Sequence, residues 1–410
     1  MLGLKTYITE ERKTGHMTHL EDAMIENGTA GVRMSIQYLR MLRDMLNGSS
    51  SGRVNVTVKW DGAPAIFAGK DPSDGKFFVA KKSIFNKNPK VYKSDSDIDN
   101  DIGDKPDLAN KMKLALELLP SLGFEGVVQG DFLYSSDDIK TVDIDGEPHI
   151  TFHPNTIVYT IPAKSNLAKE ILRSRIGVVW HTTFRGSDFE SMSASFGEAI
   201  ASKLKKTSKV WAVDAVYKDV SGTANFTKAE SEILTKKIDA AVKLFNSIDR
   251  KVIDNIKDNK NLKSRMNVYI NQKVREGAYI SDTKKFVSDM ESEIYKYWGK
   301  EIVKLKTERG RAGMTAKRDE VMKYFKDKKQ IIAMFDLYNL IVDSKLIIVD
   351  KLDSAKSVGT FLKTKDGYKV TGQEGFVAID RFGKNAVKLI DRLQFSAANF
   401  SPDIIKGWQK

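Results

Sequence analysis

Hydrophobic positions in the first half of the chain change from a helical period to a strand period. Met and Leu side chains recur at helical spacing between residues 19 and 46, and the Gly/Ser-rich segment 47–52 ends this stretch. Beyond it the pattern favours short strands. Strands are expected at residues 54–59, 65–68, 76–81, 126–134, 149–152, 156–161 and 176–182. Helices are expected at residues 107–119 and 163–173.

The second half begins with a long helical block and returns to the strand pattern. The block runs from about residue 226 to 350 and opens with the capping box Thr227-x-x-Glu230. Further strands are expected at residues 359–362, 368–371, 375–379 and 386–390. Because strands lie on both sides of the block, we predict a helical insertion within one β-rich domain.

These patterns divide the chain into an extension, a divided domain and an insertion. The N-terminal helical extension covers residues 1–52, and the insertion covers 226–352. The β-rich domain has a first part at 53–225 and a second part at 353–410. The expected fold class is α+β, with antiparallel sheets, flanking helices and a large helical insertion.

The charge balance points to an anionic partner. The 410 residues contain 67 Lys plus Arg and 54 Asp plus Glu. Most of the excess lies between residues 227 and 351, where 28 basic residues face 19 acidic ones. Nucleic acid or a nucleotide is therefore the first partner class to consider, and a membrane surface the second.

Composition excludes several kinds of chemistry. Cysteine is absent, which rules out disulfides, thiolate catalysis and Cys-based zinc sites. The five histidines form no HExxH motif and show no zinc-site spacing. With no apolar run long enough to span a bilayer and no signal-peptide pattern at the start, we expect a cytoplasmic protein without a membrane partner.

The acidic segment 95–104 superficially suggests a calcium loop. Asn100 stands where an EF-hand needs glycine, and Pro106 stands where the bidentate glutamate belongs. We therefore predict a solvated loop here.

One short motif can present a nucleophilic amine. P-loop and dinucleotide-binding motifs are absent, but Lys59-Trp60-Asp61-Gly62 follows the first expected strand. An amine at a strand end can attack phosphorus or a carbonyl if its surroundings lower its pKa and keep it uncharged. The alternative is a hairpin in which Asp61-Gly62 only turns the chain.

Five elements in a fixed order resemble the covalent nucleotidyltransferase superfamily, which comprises ATP-dependent DNA ligases, RNA ligases and mRNA capping enzymes. The matching segments are Lys59-Trp-Asp-Gly62 (motif I), Val127-Val-Gln-Gly-Asp131 (motif III), Gly177-Val-Val-Trp180-His-Thr-Thr-Phe184 (motif IIIa), Glu374-Gly-Phe-Val377 (motif IV) and Ala386-Val-Lys388-Leu-Ile390 (motif V). The resemblance covers a little under half of the chain and implies a ligase-type nucleotidyltransferase domain.

The resemblance also implies a role for each matched residue. Lys59 would form a covalent lysyl-AMP from ATP, and Lys388 would contact the α-phosphate and help to keep the Lys59 amine deprotonated. The remaining matched residues would bind the nucleotide and its Mg²⁺ ion. They are Asp61 and Gly62 of motif I, Lys81 at the family's arginine position, with Lys82 beside it, Asp131 on the ribose, Trp180 under the purine with Phe184 as the second choice, and Glu374 on the metal. Two alternatives stay open: Trp180 as a core residue, and Lys81 and Lys82 as a solvated pair.

Departures from the family pattern leave three functions open. Motif V has one lysine where the family has two, and about twenty residues follow it, too few for an OB domain. This favours an RNA-ligase-like, phage-type layout and a polynucleotide ligase acting on RNA or nicked DNA. The alternatives are a nucleic-acid-binding protein that keeps the fold without catalysis, and an enzyme that transfers AMP to a protein or small molecule.

Overall fold

The computed structural model describes residues 17–48, 54–144, 146–216, 225–354, 358–365, 367–380, 382–383 and 385–409. Most of the Gly/Ser segment 47–52 and the first 16 residues lie outside these ranges. Within them the chain forms an α+β fold with antiparallel sheets and a block of helices, as predicted.

The strands of the described residues form three sheets. The strands are β1 (Thr18–His19), β2 (Val54–Lys59), β3 (Ala65–Lys70), β4 (Phe77–Ala80), β5 (Val127–Ser135), β6 (Lys140–Ile144), β7 (Glu147–Phe152), β8 (Ile157–Pro162), β9 (Ile176–Arg185), β10 (Ser193–Phe196), β11 (Val210–Asp214), β12 (Gly359–Thr364), β13 (Gly367–Val370), β14 (Gly375–Asp380) and β15 (Ala386–Leu389). Sheet A has the order β1-β15-β14-β2. Sheet B has the order β10-β9-β5-β3-β4, with β11 also paired to β9, and sheet C has the order β13-β12-β8-β7-β6.

The helices flank these sheets and form the block between β11 and β12. They are α1 (Ala23–Leu46), α2 (Asp95–Ile102), α3 (Pro106–Leu118), α4 (Asn166–Arg173), α5 (Lys228–Ser247), α6 (Arg250–Asp258), α7 (Lys260–Arg275), α8 (Thr283–Lys304), α9 (Glu308–Lys323), α10 (Lys328–Asp353) and α11 (Arg392–Phe400). The capping box at the start of α5 is confirmed, since Thr227 and Glu230 each bond the backbone N–H of the other.

Strands from both ends of the chain meet in sheet A. β14 and β15 follow the helical block, whereas β1 and β2 precede it, and β14 pairs with β2 over six residues. One face of sheet A packs against α1 and α10 through Phe376, Ala378, Val387 and Leu389. The N-terminal helix, the helical block and sheet A therefore share one hydrophobic core. The opposite face of sheet A is left to line a cavity.

Two local predictions are wrong for identifiable reasons. The acidic segment 95–104 forms helix α2 instead of a loop, because Ile98 and Ile102 bury one face of it and Ser94 and Asp97 form a capping box at its start. The predicted helix over residues 19–46 begins only at Ala23, because His19 belongs to strand β1. Strands β6, β10 and β11 were not predicted.

A buried ion pair joins the turn after β1 to helix α10. Glu21 Oε1 lies 2.8 Å from Lys345 Nζ, and both side chains are only 1% exposed. Two such charges compensate each other in the core. Removing Lys345 leaves Glu21 with only the more distant Arg392, whose Nη1 lies 3.9 Å from the same oxygen.

We expect Lys345→Met to lower the free energy of unfolding by about 3–5 kcal/mol, because the Glu21 carboxylate stays buried. The double variant Glu21→Gln with Lys345→Met should recover much of this loss. Lys237→Met is the matched control, since it breaks a half-exposed ion pair with Asp343 and should cost about 1 kcal/mol or less. Urea denaturation measures all three. An equal cost for Lys345→Met and Lys237→Met would contradict this account.

Candidate functional site

A cavity of about 530 Å³ lies between the facing surfaces of sheets A and B. Sheet A contributes Lys59 and Lys388 to its wall, and sheet B contributes Asp131. Lys59 ends β2, Lys388 lies in the middle of β15, and Asp131 lies on β5. The structure thus brings three of the sequence-predicted residues to one space.

Lys59 is held by a carboxylate at the edge of this cavity. Its Nζ forms an ion pair with Glu374 Oε1, and the Glu374 side chain is only 6% exposed. The register of β2 and β14 sets this contact, because Lys59 pairs with Gly375. Glu374 is therefore brought to the site as predicted, although it lies beside Lys59 rather than on the cavity wall.

The ion pair decides the protonation of Lys59. Burial acts to lower the pKa of Lys59, but the carboxylates of Glu374 and Asp131 outweigh it and raise that pKa above its usual value. The ligand-free site therefore keeps Lys59 protonated, contrary to the expectation that Lys388 holds it deprotonated. The pKa of Lys388 is instead lowered, first by burial and then by Lys59.

Glu374 also has capacity for a further ligand. Burial raises its pKa to about 7, against the opposing effect of Lys59. Its second oxygen, Oε2, is buried and has no hydrogen-bond partner among the described residues. No group of three or more carboxylate or imidazole side chains gathers around a metal position in the described part of the chain. One free carboxylate oxygen nevertheless fits Mg²⁺, which is commonly held by one or two carboxylates together with substrate phosphates.

Two cations of the cavity wall lack a carboxylate partner. Lys388 and Lys82 both line the cavity, and no carboxylate of the described residues lies within ion-pair distance of either. Lysine side chains that line a cavity without a carboxylate partner favour binding of an anion there.

The predicted Lys81 has a different environment from Lys82. Its Nζ lies 3.0 Å from Asp101 Oδ2, outside the cavity. Lys82 begins a short 3₁₀ turn directly after Lys81, so the chain direction changes between them. Lys82 is thus the member of the pair that reaches the cavity.

Asp131 has a neighbour that the sequence analysis did not select. His181 Nε2 lies 3.6 Å from Asp131 Oδ2, and both residues line the cavity. Burial raises the pKa of Asp131, while His181 and Lys59 oppose that shift. Burial lowers the pKa of His181, so its ring is neutral at pH 7.

Trp180 is not in the cavity. Its ring is fully buried on the opposite face of β9, where it contacts Phe124 with ring centroids 5.3 Å apart. Successive residues of a strand point to opposite faces, so His181 reaches the cavity and Trp180 packs into the core. Strand alternation alone would have predicted that Trp180 and His181 lie on opposite faces of β9.

An aromatic cluster lines the cavity instead. Phe67, Phe85 and Phe184 are mutual neighbours, with ring centroids 5.0–5.7 Å apart. All three belong to the cavity wall. Phe184, the second choice from the sequence, is therefore the matched aromatic residue that lies at the cavity.

Asp61 and Gly62 shape the site without lining it. The Asp61 carboxylate is buried and accepts hydrogen bonds from the backbone N–H groups of Thr156 (2.6 Å) and Ile157 (2.8 Å) and from the side chain of Asn155 (2.6 Å). A Cβ at Gly62 would lie 2.5 Å from the Asp131 Cβ, so only glycine allows this approach. Asp61 ties the loop after β2 to sheet C, and Gly62 lets that loop pass beside Asp131.

We expect Asp61→Asn to lower the free energy of unfolding by about 2–3 kcal/mol, because three donors share the two carboxylate oxygens and the new amide group must face at least one of them. The exposed Asp137→Asn is the control, expected within about 0.5 kcal/mol of the parent. Chemical denaturation followed by circular dichroism measures both. A variant as stable as the parent would show that Asp61 does not hold the loop.

The arrangement has the parts for chemistry on a phosphate ester. It combines a lysine held by a carboxylate, two cations without carboxylate partners, a carboxylate with an unpartnered oxygen and an aromatic wall. No helix of the described residues is both long and apolar enough to cross a membrane.

Comparisons with known proteins identify a family. No curated protein and no solved structure gives a significant match to this chain. The model of DUF6267, described as a family of unknown function, matches residues 14–403 and so includes every site residue described above. The chain belongs to the DUF6267 family.

Proposed function

We propose that the protein is an ATP-dependent polynucleotide ligase that acts through a covalent lysyl-AMP at Lys59. The observation that carries this proposal is the cavity between sheets A and B, which Lys59 and Lys388 line from one side and Asp131 from the other. The order of the five sequence elements, which resembles that of ligase-type nucleotidyltransferases, supports the same domain type.

Each part of a nucleotide has a matching surface in the cavity. The base packs on the aromatic cluster of Phe67, Phe85 and Phe184, since aromatic rings stack on either face of a base. Asp131 accepts hydrogen bonds from the ribose hydroxyls. Lys388 and Lys82 face the phosphates, because they are the wall cations without carboxylate partners. Lys59 lies at the α-phosphate.

The first step transfers AMP to the protein. The Lys59 ammonium, which the Glu374 carboxylate holds in place, first loses its proton to water. The resulting amine attacks the α-phosphorus, so that a P–N bond forms and the bond from that phosphorus to the bridging oxygen breaks. Pyrophosphate leaves with the electron pair. Lys388 stabilises the negative charge that develops on the α-phosphate oxygens.

A divalent cation would add to this charge stabilisation, because Mg²⁺ would neutralise part of the triphosphate charge. Glu374 is the residue that would hold it, through the unpartnered Oε2 together with phosphate oxygens.

The later steps need a polynucleotide with a 5′-phosphate and a 3′-hydroxyl. A 5′-phosphate oxygen attacks the phosphorus of lysyl-AMP, which frees Lys59, and the 3′-hydroxyl then displaces AMP. The segment of residues 300–318, termed here the basic segment, offers a surface for such a substrate. It contains seven Lys or Arg and two Glu. The exposed ring of Tyr295 lies beside it, with the Arg318 guanidinium 5.0 Å from the ring centroid.

We expect the purified protein, incubated with Mg²⁺ and α-labelled ATP, to carry label that survives denaturation. Lys59→Ala should abolish it, because no other amine lies at the same position. Lys81→Ala is the matched control and should keep full labelling, since Lys81 lies outside the cavity.

Label that persists in Lys59→Ala would contradict the proposal. No label on the wild-type protein with ATP or GTP would favour the nucleic-acid-binding alternative. Label without joining of polynucleotide ends would favour transfer of AMP to another acceptor.

We expect the triple variant Lys306→Gln, Arg309→Gln and Lys317→Gln to bind single-stranded RNA more weakly, with a salt dependence reduced by about one unit of slope per lost contact. The control carries Lys140→Gln, Lys164→Gln and Lys169→Gln, which remove three charges near sheet C. Fluorescence anisotropy across a salt series measures both variants. An equal loss in the control would mean that binding follows net charge and not the basic segment.

A further inference from the structure

One row of side chains crosses all four strands of sheet A. Thr57 pairs with Val377, Val377 pairs with Lys388, and Lys388 pairs with His19. The first three of these residues line the cavity. Because paired residues on neighbouring strands project to the same face, His19 faces the cavity side, one strand spacing of about 4.8 Å beyond Lys388. Met17, two residues before His19, also lines the cavity, as strand alternation requires.

The imidazole of His19 has unused hydrogen-bonding capacity. Its Nδ1 is buried and has no partner, and no described residue hydrogen bonds to the ring. Buried polar groups in proteins nearly always find a partner. A bound ligand would supply one here.

The surroundings of the ring favour an anion. Burial, followed by nearby cations, lowers the pKa of His19 well below its usual value. Those cations are Arg392, Lys345, Lys388 and Lys59. Three of the four are ion-paired with carboxylates, whereas Lys388 has no such partner among the described residues. Lys388 and His19 are thus paired neighbours in sheet A, and within the described residues the His19 ring has no hydrogen-bond partner and Lys388 no ion-pair partner.

We propose that His19 and Lys388 form a subsite for the β- and γ-phosphates of the nucleotide and for the pyrophosphate that leaves. The identity of the anion rests on the proposed function. The α-phosphate lies between Lys59 and Lys388, and the remaining phosphates follow the row towards His19. A ring N–H donates to a phosphate oxygen.

This subsite gives strand β1 a role in binding. The hydrogen bond from the Leu20 N–H to the Lys388 carbonyl oxygen, at 3.1 Å, fixes the strand against β15. β1 thereby brings a donor to the position beside Lys388, where motif V itself offers only one lysine. The subsite belongs to the triphosphate end, so AMP alone does not occupy it.

Calorimetric titration of the full-length protein with inorganic tripolyphosphate, and separately with AMP, tests this assignment. His19→Leu fills the space of the ring but removes its N–H, and it should weaken tripolyphosphate binding about tenfold while leaving AMP binding unchanged. His19→Gln keeps an N–H donor and should retain most of the affinity. His149→Ala is the histidine control, since that ring lies on β7 of sheet C and bonds the Glu147 carbonyl.

Thermal unfolding of each variant shows which ones are folded, and His19→Ala replaces His19→Leu if the latter is not. Equal loss for tripolyphosphate and AMP, no loss for either, or no tripolyphosphate binding by the wild-type protein would overturn the subsite. Tripolyphosphate binding that depends on His19, in a protein that forms no Lys59 adduct, would support the subsite and remove the ligase proposal.

Discussion

The pairing of β2 with β14 is the constraint on which the site depends. These strands lie on opposite sides of the helical block in the chain, and their register places Lys59 opposite Gly375. That register brings the Glu374 carboxylate to the Lys59 amine. A shift of this register by one residue would turn every side chain of β2 to the other face of the sheet. Lys59 would leave the cavity, and the apolar side chains of β2 would leave the core. The hydrophobic core shared by sheet A, α1 and α10 therefore fixes the chemistry as well as the fold.

The site holds charge that the protein only partly compensates. Lys59 and Glu374 form an ion pair, but Glu374 Oε2 has no hydrogen-bond partner, and no carboxylate of the described residues lies within ion-pair distance of Lys388. Burial and neighbouring charges shift the pKa values of Lys59, Lys388 and Glu374 together. Perturbed groups that converge on one cavity are typical of functional sites. Lys388 and Glu374 Oε2, two groups without a partner among the described residues, match an anionic ligand that carries a bound metal cation.

The sequence predicted the elements well where a local pattern determines them. The strand pattern predicted β2, β5, β9 and β14. The choice of Lys59, Asp131 and Glu374 as residues of one site came from the resemblance to the nucleotidyltransferase motifs. The local sequence pattern did not predict features that depend on contacts between distant segments of the chain. Nothing near His19 in the chain indicates that it pairs with Lys388, because that contact depends on the edge of sheet A. Trp180 was chosen by its place in a motif, although alternation along β9 assigns it to the core and His181 to the cavity.

A crystal structure of the protein with Mg²⁺ and an ATP analogue whose α,β-bridging oxygen is replaced by a methylene group tests the central claim most directly. The account predicts that the nucleotide lies between sheets A and B, with its α-phosphorus about 3–3.5 Å from Lys59 Nζ and its base on the phenylalanine wall. A nucleotide bound outside this cavity, or bound within it with the α-phosphorus away from Lys59, would contradict the account.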